Sequence, residues 1–295
     1  MIIMIEINNV SFEIDDKKIL NSINLKISEG KIFGIIGPNG VGKTTLLRCL
    51  TGIYKPTIGN VIYDGNDVYD NPKVKGEIGY VADENIMPSN FRVHEILKFY
   101  EYSYDNFDKK RFDELNEIFK IPLNRFVFQL SKGMKMRLSI MLAFSIHAKY
   151  LVLDEPTSGL DAILKNKLLK IFADEVFENG TTIIISSHHL GELERICDDV
   201  AILDDGVVSY ENSVENMKNK IKKIQVAFKG DVNEENFNFK GVSKISKIGR
   251  VFTIITEEYD EEFIKELNKY NPLFIEEIDL SLEDIFIYKV DKEGK

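Results

Sequence analysis

One stretch of nine residues, GPNGVGKTT from Gly37 to Thr45, constrains the fold of this chain more than any other. It contains the pattern G-x-x-x-x-G-K-[ST], whose fixed positions are Gly37, Gly42, Lys43 and Thr44. Glycines let backbone N–H groups approach an anion closely, a lysine adds a positive charge, and a hydroxyl can serve as a ligand for Mg2+. The pattern therefore predicts a loop that wraps the phosphates of a nucleotide.

The sequence on both sides of this loop fits that interpretation. Residues 31–36 form a short apolar run that reads as a buried strand, and residues 44–50 have helical spacing. The motif requires a strand, a glycine-rich loop and a helix whose N-terminus favours an anion. Within the loop we also expect Asn39, Gly40 and Thr45 to contact the phosphates. A chance match of a short pattern is the alternative, and the rest of the chain decides between the two.

Length and composition narrow the class of protein. The chain has 295 residues, enough for about two domains, and a formal net charge of -10, which argues against a nucleic-acid partner. No run approaches the roughly 18 apolar residues of a transmembrane helix, and the N-terminal region does not read as a signal peptide. Cys49 and Cys197 lie far apart within apolar patterns, so we expect buried thiols rather than a disulfide or a metal site.

Hydrophobic periodicity divides the chain into segments. Residues 4–28 alternate as an antiparallel β-meander, and later strands alternate with helices, which is typical of a largely parallel sheet. Residues 85–148 have helical periodicity without a convincing strand, and we interpret them as a helical insertion. We therefore expect an α/β domain over residues 1–211, a linker or short helix over 212–222, and a small α+β unit over 223–295.

Two carboxylates follow a buried strand. The apolar run 150–153 ends in Asp154 and Glu155, at the carboxyl end of a strand, where open α/β sheets bind ligands. We expect Asp154 to hold Mg2+ and Glu155 to deprotonate an attacking water. The alternative is a solvated turn at a strand end, which a phosphate loop on the same sheet argues against.

Two further segments are candidates for contact with phosphate. LSKGM at residues 130–134 leads into a helix with Ser131 as the N-cap; such a helix end can bind an anion, although ordinary capping is the simpler explanation. His188 follows the β-branched strand 181–186, where an imidazole could contact a γ-phosphate, although a lone histidine is more often structural.

Together these segments resemble the nucleotide-binding subunit of the ABC ATPase superfamily, over roughly residues 5–210. GPNGVGKTT is similar to the Walker A motif of that family, and LVLDEP at 151–156 is similar to its Walker B motif. LSKGM at 130–134 is similar to its signature motif. SGLD at 158–161 is similar to its D-loop, and SSHH at 186–189 is similar to the segment that carries its switch histidine. The resemblance implies a P-loop NTPase fold of ABC type with a mixed, largely parallel sheet. It also implies binding of ATP and Mg2+, with Glu155 and His188 as catalytic residues and Thr44 and Asp154 at the metal.

The chain departs from the pattern of that family at three places. Asp83 occupies the position of the Q-loop glutamine, and we expect that it can still lie near Mg2+. Lys132 replaces the first glycine of the signature motif. The aromatic residue that usually stacks on adenine falls at Ile14, so adenine is expected to meet Ile14 or Phe12, two residues earlier on the same strand face.

The resemblance also implies partners. Two subunits of this family face each other head to tail, so Ser131 and Gly133 are expected to act on the ATP of a second subunit, either another copy of this chain or a homologous one. The chain would then be the ATPase subunit of a transporter, peripheral on the cytoplasmic face of the membrane, with its permease on a separate chain. Export is favoured because LSKGM and the C-terminal SLEDIF resemble the ATPases of drug, antibiotic or peptide exporters.

Two other functions fit parts of the sequence. A soluble ABC ATPase could act as a mechanical switch on ribosomes or DNA, but such relatives usually carry two fused ATPase units or a long coiled-coil insertion, and the charge of -10 disfavours nucleic acid. A small-molecule P-loop kinase would leave LSKGM directly upstream of LVLDEP unexplained. The C-terminal unit has scattered rather than paired carboxylates, so we interpret it as a dimerisation or packing module rather than a ligand sensor.

Overall fold

The computed structural model describes residues 3–84, 87–230 and 232–293 of the chain. The chain divides into two compact units, Met1–Glu211 and Asn212–Lys295. Among the described residues, no helix is both long and apolar enough to cross a bilayer. Cys49 and Cys197 are buried free thiols, as the sequence predicts.

The first unit alternates strands and helices over most of its length. Its strands are β1 (Ile3–Ile14), β2 (Lys17–Ser28), β3 (Ile32–Ile36), β4 (Ile58–Tyr63), β5 (Asn66–Asp67), β6 (Ile78–Val81), β7 (Tyr150–Asp154), β8 (Thr182–Ser187), β9 (Asp199–Asp204) and β10 (Val207–Ser213). Its helices are α1 (Lys43–Leu50), α2 (Pro72–Gly76), α3 (Val93–Ser103), α4 (Lys109–Phe119), α5 (Lys132–Ser145), α6 (Ala162–Asn179) and α7 (Leu190–Leu193).

These strands form two sheets. β2, β1, β4 and β5 pair antiparallel in that order, and β10, β9, β3, β8, β7 and β6 form the second sheet. In the second sheet the pairs β9–β3, β3–β8, β8–β7 and β7–β6 are all parallel. Every residue of β3, β7 and β8 is buried, which is the pattern of parallel strands that are covered on both faces.

The core of the first unit includes helix α1. One cluster of buried side chains contains residues of the antiparallel sheet, of α1 and of the parallel sheet. Leu46, Leu47 and Leu50 of α1 are completely buried in this cluster. Because α1 packs within this core, the glycine-rich loop that precedes it has a rigid anchor.

Helices α3, α4 and α5 lie between β6 and β7. Asp108 caps α4 by accepting a hydrogen bond from the Arg111 N–H, and Ser131 caps α5 by accepting one from the Met134 N–H. The Arg111 guanidinium also pairs with the buried carboxylate of Glu175 on α6, with 3.1 Å between Nη2 and Oε2. This ion pair connects α4 of the helical segment with α6, the helix that follows β7 in the chain.

One helix is shorter than its periodicity suggests. The sequence pattern predicts a helix over 188–197, whereas α7 covers only Leu190–Leu193. The N–H groups of residues 195 and 196 bond to carbonyls three residues earlier, in the tighter 3-10 manner. The Asp198 carboxylate then accepts a hydrogen bond from the Ile32 N–H at 2.9 Å, which returns the chain to the sheet beside β3.

The second unit is built on a four-stranded antiparallel sheet. Its elements are α8 (Val214–Lys220), β11 (Lys222–Phe228), β12 (Val242–Ile248), β13 (Val251–Thr256), α9 (Glu261–Asn268), β14 (Pro272–Ile278) and α10 (Leu282–Glu293). The strand order is β12, β13, β11, β14. One core cluster joins strand residues such as Phe228 and Phe252 with Phe263 of α9.

The second unit agrees with the sequence pattern at its start and departs from it at one strand. Residues 212–222, expected as a linker or short helix, contain α8. β12 lies where the sequence does not indicate a strand. It is an edge strand whose residues are half-buried or exposed, so it carries little hydrophobic signal.

Candidate functional site

The phosphate loop is shaped by close approach of backbone to backbone. A Cβ atom on Gly37 would lie 2.3 Å from the Leu203 carbonyl oxygen, so only glycine fits there. Gly40 and Gly42 have φ angles of 86° and 107°, in the left-handed region that favours glycine. Gly42 is also the N-cap residue of α1 and supplies no side-chain cap, so the first N–H groups of the helix remain able to bind an anion.

Lys43 is buried at the start of α1. Its ammonium group donates to the carbonyl oxygens of Gly37 and Pro38 at 2.7 and 3.0 Å, and it lies 3.8 Å from Oε1 of Glu155. Burial lowers the pKa of Lys43, while the charges of Glu155 and Asp154 act in the opposite direction. A phosphate in the loop would add negative charge that offsets the burial of this ammonium group.

One cleft of about 330 Å³ brings the predicted site residues together. Most of the residues that the sequence assigns separately to the phosphates, the metal and catalysis lie in its wall, whereas Gly37 and His188 lie outside the described lining. The lining residues are Ile14, Ile19, Asn39, Gly40, Gly42, Lys43, Thr44, Thr45, Asp83, Asp154 and Glu155. The fold therefore assembles one site from distant parts of the chain.

Asp154 is held by the neighbouring strand. Because β7 and β8 pair in parallel, Asp154 lies opposite Ser186, and the Ser186 hydroxyl donates to Oδ1 of Asp154 at 2.6 Å. The other carboxylate oxygen, Oδ2, is buried and has no hydrogen-bond partner among the described residues. One oxygen is fixed by the protein and the other is available to a ligand, which suits a cation site.

Glu155 has a strained backbone and a buried carboxylate. Its φ angle of 48° lies in the left-handed region, which costs a non-glycine residue about 1–3 kcal/mol. Its N–H is close to both the carbonyl and the hydroxyl of Ser186, each at 3.2 Å. Glu155 is 9% exposed. In the described part of the chain, neither of its carboxylate oxygens has a hydrogen bond of normal geometry. Nδ1 of His188 lies 2.9 Å from Oε2. Such a carboxylate can accept a proton from a water in the cleft.

The residues expected at Mg2+ form a partial site. Thr44 and Asp154 both line the cleft. No group of three or more His, Cys, Asp or Glu side chains within residues 3–84, 87–230 and 232–293 could hold a metal ion by itself. Mg2+ commonly takes one or two protein ligands and completes its shell with water and substrate phosphates. The Thr44 hydroxyl and Oδ2 of Asp154 fit that arrangement.

Asp83 lies two residues beyond β6 and lines the same cleft. Its carboxylate also forms an ion pair with Lys132, with 2.7 Å between Oδ1 and Nζ. The resemblance to ABC ATPases aligns Asp83 with the Q-loop glutamine and Lys132 with the first glycine of the signature motif. Two departures from the family pattern are therefore in direct contact.

Of the two residues expected at adenine, the structure brings one to the cleft. Ile14 lines the cleft beside Ile19 and is 45% exposed. Phe12 lies outside the described lining, because its ring stacks on Tyr54 with centroids 5.0 Å apart and planes 1° apart. The pairing of β1 with β2 shifts register between Phe12 and Glu13, where Ile19 is the extra residue on β2.

Ser131 and Gly133 lie outside the described lining of the cleft. The Ser131 hydroxyl accepts a hydrogen bond from the Met134 N–H at 3.2 Å. A Cβ atom on Gly133 would come within 2.8 Å of the Gly159 carbonyl oxygen, so a glycine is needed where α5 meets the 158–161 segment. Within one copy of the chain, these two residues contact their own helix and a neighbouring loop.

The sequence pattern does not single out Ser186 or Ile19. Ser186 ends a β-branched strand, but only the adjacency of β7 and β8 shows that its hydroxyl meets Asp154. Ile19 follows the charged stretch DDKK, whose Asp15 and Asp16 form the turn between β1 and β2, and Ile14 lies just before it. Two isoleucines that flank a charged turn are the only signal for this apolar part of the wall.

Comparison with known proteins relates this chain to ABC transporters. Residues 20–158 match the sequence profile of the family described as ABC transporter. The chain is 33% identical over 290 residues to the ABC transporter ATP-binding protein YtrB of Bacillus subtilis (strain 168), which covers 97% of this chain and 98% of that protein. It is 33% identical over 218 residues to the lantibiotic transport ATP-binding protein SrtF of Streptococcus pyogenes, covering 73% of this chain and 93% of that protein. It is 32% identical over 276 residues to the methionine import ATP-binding protein MetN of Clostridium acetobutylicum, covering 88% and 86%.

A solved structure extends the comparison to the fold. The dimeric structure of MJ0796, a bacterial ABC transporter cassette, matches with a TM-score of 0.66 and 25% identity, over 72% of this chain and 99% of that chain. The expected fold class, an ABC-type P-loop NTPase with an antiparallel N-terminal part and a small C-terminal unit, is confirmed. The chain therefore belongs to the ATP-binding subunits of ABC transporters, which hydrolyse ATP to drive transport.

Proposed function

We propose that the cleft holds ATP with its β- and γ-phosphates in the 37–45 loop. The loop backbone approaches its surroundings so closely at Gly37 that only glycine fits, and the N-terminus of α1 has no side-chain cap. The ammonium group of Lys43 now donates to carbonyls of the loop and would donate to phosphate oxygens instead. Ile14 and Ile19, at the apolar part of the wall, would contact adenine.

The same site fits Mg2+ beside the phosphates. Thr44 and Oδ2 of Asp154 would hold the ion, which would neutralise charge that develops on the γ-phosphate. Ser186 keeps the Asp154 carboxylate oriented through its hydrogen bond to Oδ1. Asp83 adds a further negative charge to the wall of the cleft.

The surroundings of the Glu155 carboxylate support ATP hydrolysis at this site most directly. It is buried, it lacks a hydrogen bond of normal geometry in the described part of the chain, and its backbone is strained. We assign Glu155 as the base that takes a proton from the attacking water, a role that contributes roughly a hundred- to ten-thousandfold in rate. His188, whose Nδ1 lies 2.9 Å from Oε2, would orient this carboxylate and contact the γ-phosphate.

A second subunit would complete the site. Ser131 and Gly133 begin α5, a helix of 14 residues, and lie outside the described lining of their own cleft. The N-terminus of such a helix favours an anion, and the Ser131 hydroxyl can still donate its own proton. We propose that these residues meet the γ-phosphate held by the facing subunit. The dimeric cassette structure with the same fold supports this arrangement.

We further propose that a separate permease forms the transport path, that this subunit sits on the cytoplasmic face of the membrane, and that transport is outward. Similarity to YtrB over 97% of the chain supports a role as a separate ATP-binding subunit. Similarity to a lantibiotic transport protein supports a peptide-like cargo. Direction needs its own test, because a methionine import protein is also similar.

Affinity purification of the tagged chain from gently solubilised membranes tests the partner. The proposal predicts a polytopic membrane protein in near-equal amount. Recovery of ribosomes or DNA without a membrane protein would favour the mechanical switch instead.

A second experiment tests the direction of transport. Inverted membrane vesicles are supplied with ATP and a labelled peptide antibiotic. An exporter accumulates the label in the lumen, whereas an importer empties preloaded vesicles.

A further inference from the structure

The ion pair between Asp83 and Lys132 lies between two cavities. Asp83 lines the ATP cleft of about 330 Å³ and also a second cavity of about 580 Å³. Lys132 lines the second cavity but is absent from the described lining of the cleft. With Nζ only 2.7 Å from Oδ1, Lys132 therefore holds the Asp83 carboxylate from the side of the second cavity.

We propose that Lys132 is a positioning residue that sets how tightly Mg2+ binds together with ATP, and that it acts through Asp83. The inference rests on the proposed Mg2+ site at Thr44 and Asp154. Asp83 contributes a negative charge to the wall of that site, and pairing with Lys132 compensates this charge before a cation arrives. Lys132 thus weakens Mg2+ binding, because the ion has to compete with the ammonium group for one carboxylate.

The surroundings of the pair limit the size of the effect. The side chains of Lys132 and Asp83 are 56% and 36% exposed, so the pair is partly solvated and sensitive to salt. For exposed pairs of this kind we expect a change of about two- to fivefold in Mg2+ affinity. Glu84 also lines the second cavity, and its carboxylate is a second acceptor within this region.

The helix offers a matched control. Lys135 lies one turn after Lys132 on α5, lines the same cavity and carries the same charge, but no ion pair joins it to Asp83 in the described structure. A general effect of positive charge near the cleft would therefore appear at both lysines. An effect that acts through Asp83 would appear at Lys132 alone.

The test is a Mg2+ titration of a fluorescent ATP analogue bound to the full chain. At low salt, Lys132→Gln should lower the Mg2+ concentration at half-maximal signal by about two- to fivefold. Lys132→Arg should behave like the unsubstituted chain, because it keeps the ion pair. Lys135→Gln should shift the midpoint much less, and high salt should bring Lys132→Gln close to the unsubstituted chain.

Three results would overturn the inference: an unchanged midpoint in Lys132→Gln, an equal shift in Lys135→Gln, or a Lys132→Arg variant that behaves like Lys132→Gln. A second measurement tests whether Lys132 acts through Asp83. In an Asp83→Asn background, Lys132→Gln should have no further effect, and a full effect there would also contradict the inference. If the unsubstituted chain binds no nucleotide at all, the proposed ATP site itself fails, which is a distinct outcome.

Discussion

The hydroxyl of Ser186 serves two carboxylate residues at the end of β7. It donates to Oδ1 of Asp154 at 2.6 Å and lies 3.2 Å from the Glu155 N–H, which donates to it. Both interactions are buried, so water does not readily replace them. The positions of the proposed metal ligand and of the proposed base therefore both depend on one side chain from the next strand.

Replacement of this serine should affect hydrolysis more than folding. Ser186→Ala leaves both carboxylate oxygens of Asp154 without a donor among the described residues. A buried unsatisfied group costs about 1–3 kcal/mol. We expect a melting temperature lower by a few degrees. We also expect at least a tenfold lower rate of Mg2+-dependent ATP hydrolysis, because a loss of about 1.4 kcal/mol of transition-state stabilisation lowers a rate tenfold. Steady-state ATPase assays and thermal melts measure both.

Ser145→Ala is the matched control for this substitution. Ser145 is also fully buried, but its hydroxyl donates only to the Met141 carbonyl within α5, far along the helix from the signature segment. It should lower stability slightly and leave the ATPase rate unchanged. A folded Ser186→Ala protein with the full ATPase rate would show that Ser186 does not orient the site.

Most cleft residues are visible in the sequence because phosphate binding demands particular residue types at fixed spacing. The contacts that were not predicted, Ser186 with Asp154 and Lys132 with Asp83, join segments that are distant in the chain. Their existence depends on which strands and helices are neighbours, and a single sequence does not contain that information. Phe12 illustrates the same limit, since its partner Tyr54 lies beyond helix α1 in the sequence.

At the scale of elements, the start of α5 is fitted closely to the 158–161 segment. Gly133 has no room for a side chain because the Gly159 carbonyl oxygen would lie 2.8 Å from its Cβ atom. The Gly133 carbonyl in turn accepts a hydrogen bond from Nε of Arg137 at 3.1 Å. A glycine at this position is thus required by packing within one chain, in addition to any role toward a second subunit.

Gly133→Ala should separate α5 from that segment. The methyl group would overlap backbone atoms, so we expect a loss of about 1–3 kcal/mol in the free energy of unfolding. Denaturant unfolding of the full chain measures this loss. Gly76→Ala is the control: Gly76 lies in α2 with open space around its Cβ position, and alanine there should be neutral or stabilise by up to about 1 kcal/mol. Equal stability of the two variants would contradict the close fit.

Elements with a strong hydrophobic period were predictable, and those governed by contacts were not. β3, β7 and β8 are buried throughout and were visible as apolar runs. α7 is shorter than its periodic pattern, and the hydrogen bond between the Asp198 side chain and the backbone of β3 is a contact that periodicity does not reveal. β12 escaped notice because an exposed edge strand needs few apolar residues.

At the scale of the whole molecule, each unit has its own core. The cluster around α1 contains only residues of the first unit, and the aromatic cluster with Phe237 and Phe252 contains only residues of the second. The cleft and the residues proposed to act on ATP all come from the first unit. ATP chemistry and the C-terminal unit should therefore be separable.

A chain that ends at Ser213, the last residue of β10, should fold and bind Mg2+–ATP. Its ATPase rate per site should stay within a few-fold of that of the full chain, because no cleft residue is removed. Nucleotide titration and thermal melts with and without ATP measure this. A shortened chain that melts as a folded protein but has lost ATP binding would place part of the site in the C-terminal unit.

The central claim is that Glu155 is the base of an ATP site shared by two subunits, and Glu155→Gln tests it most directly. The amide keeps the shape of the side chain but does not accept the proton of water. The variant should retain ATP binding, lose at least about a hundredfold in hydrolysis, and accumulate as an ATP-bound dimer in size-exclusion chromatography with light scattering. Glu178→Gln, at an exposed position of α6, should match the unsubstituted chain in each respect. Hydrolysis at the normal rate by a Glu155→Gln protein that binds ATP would contradict the claim.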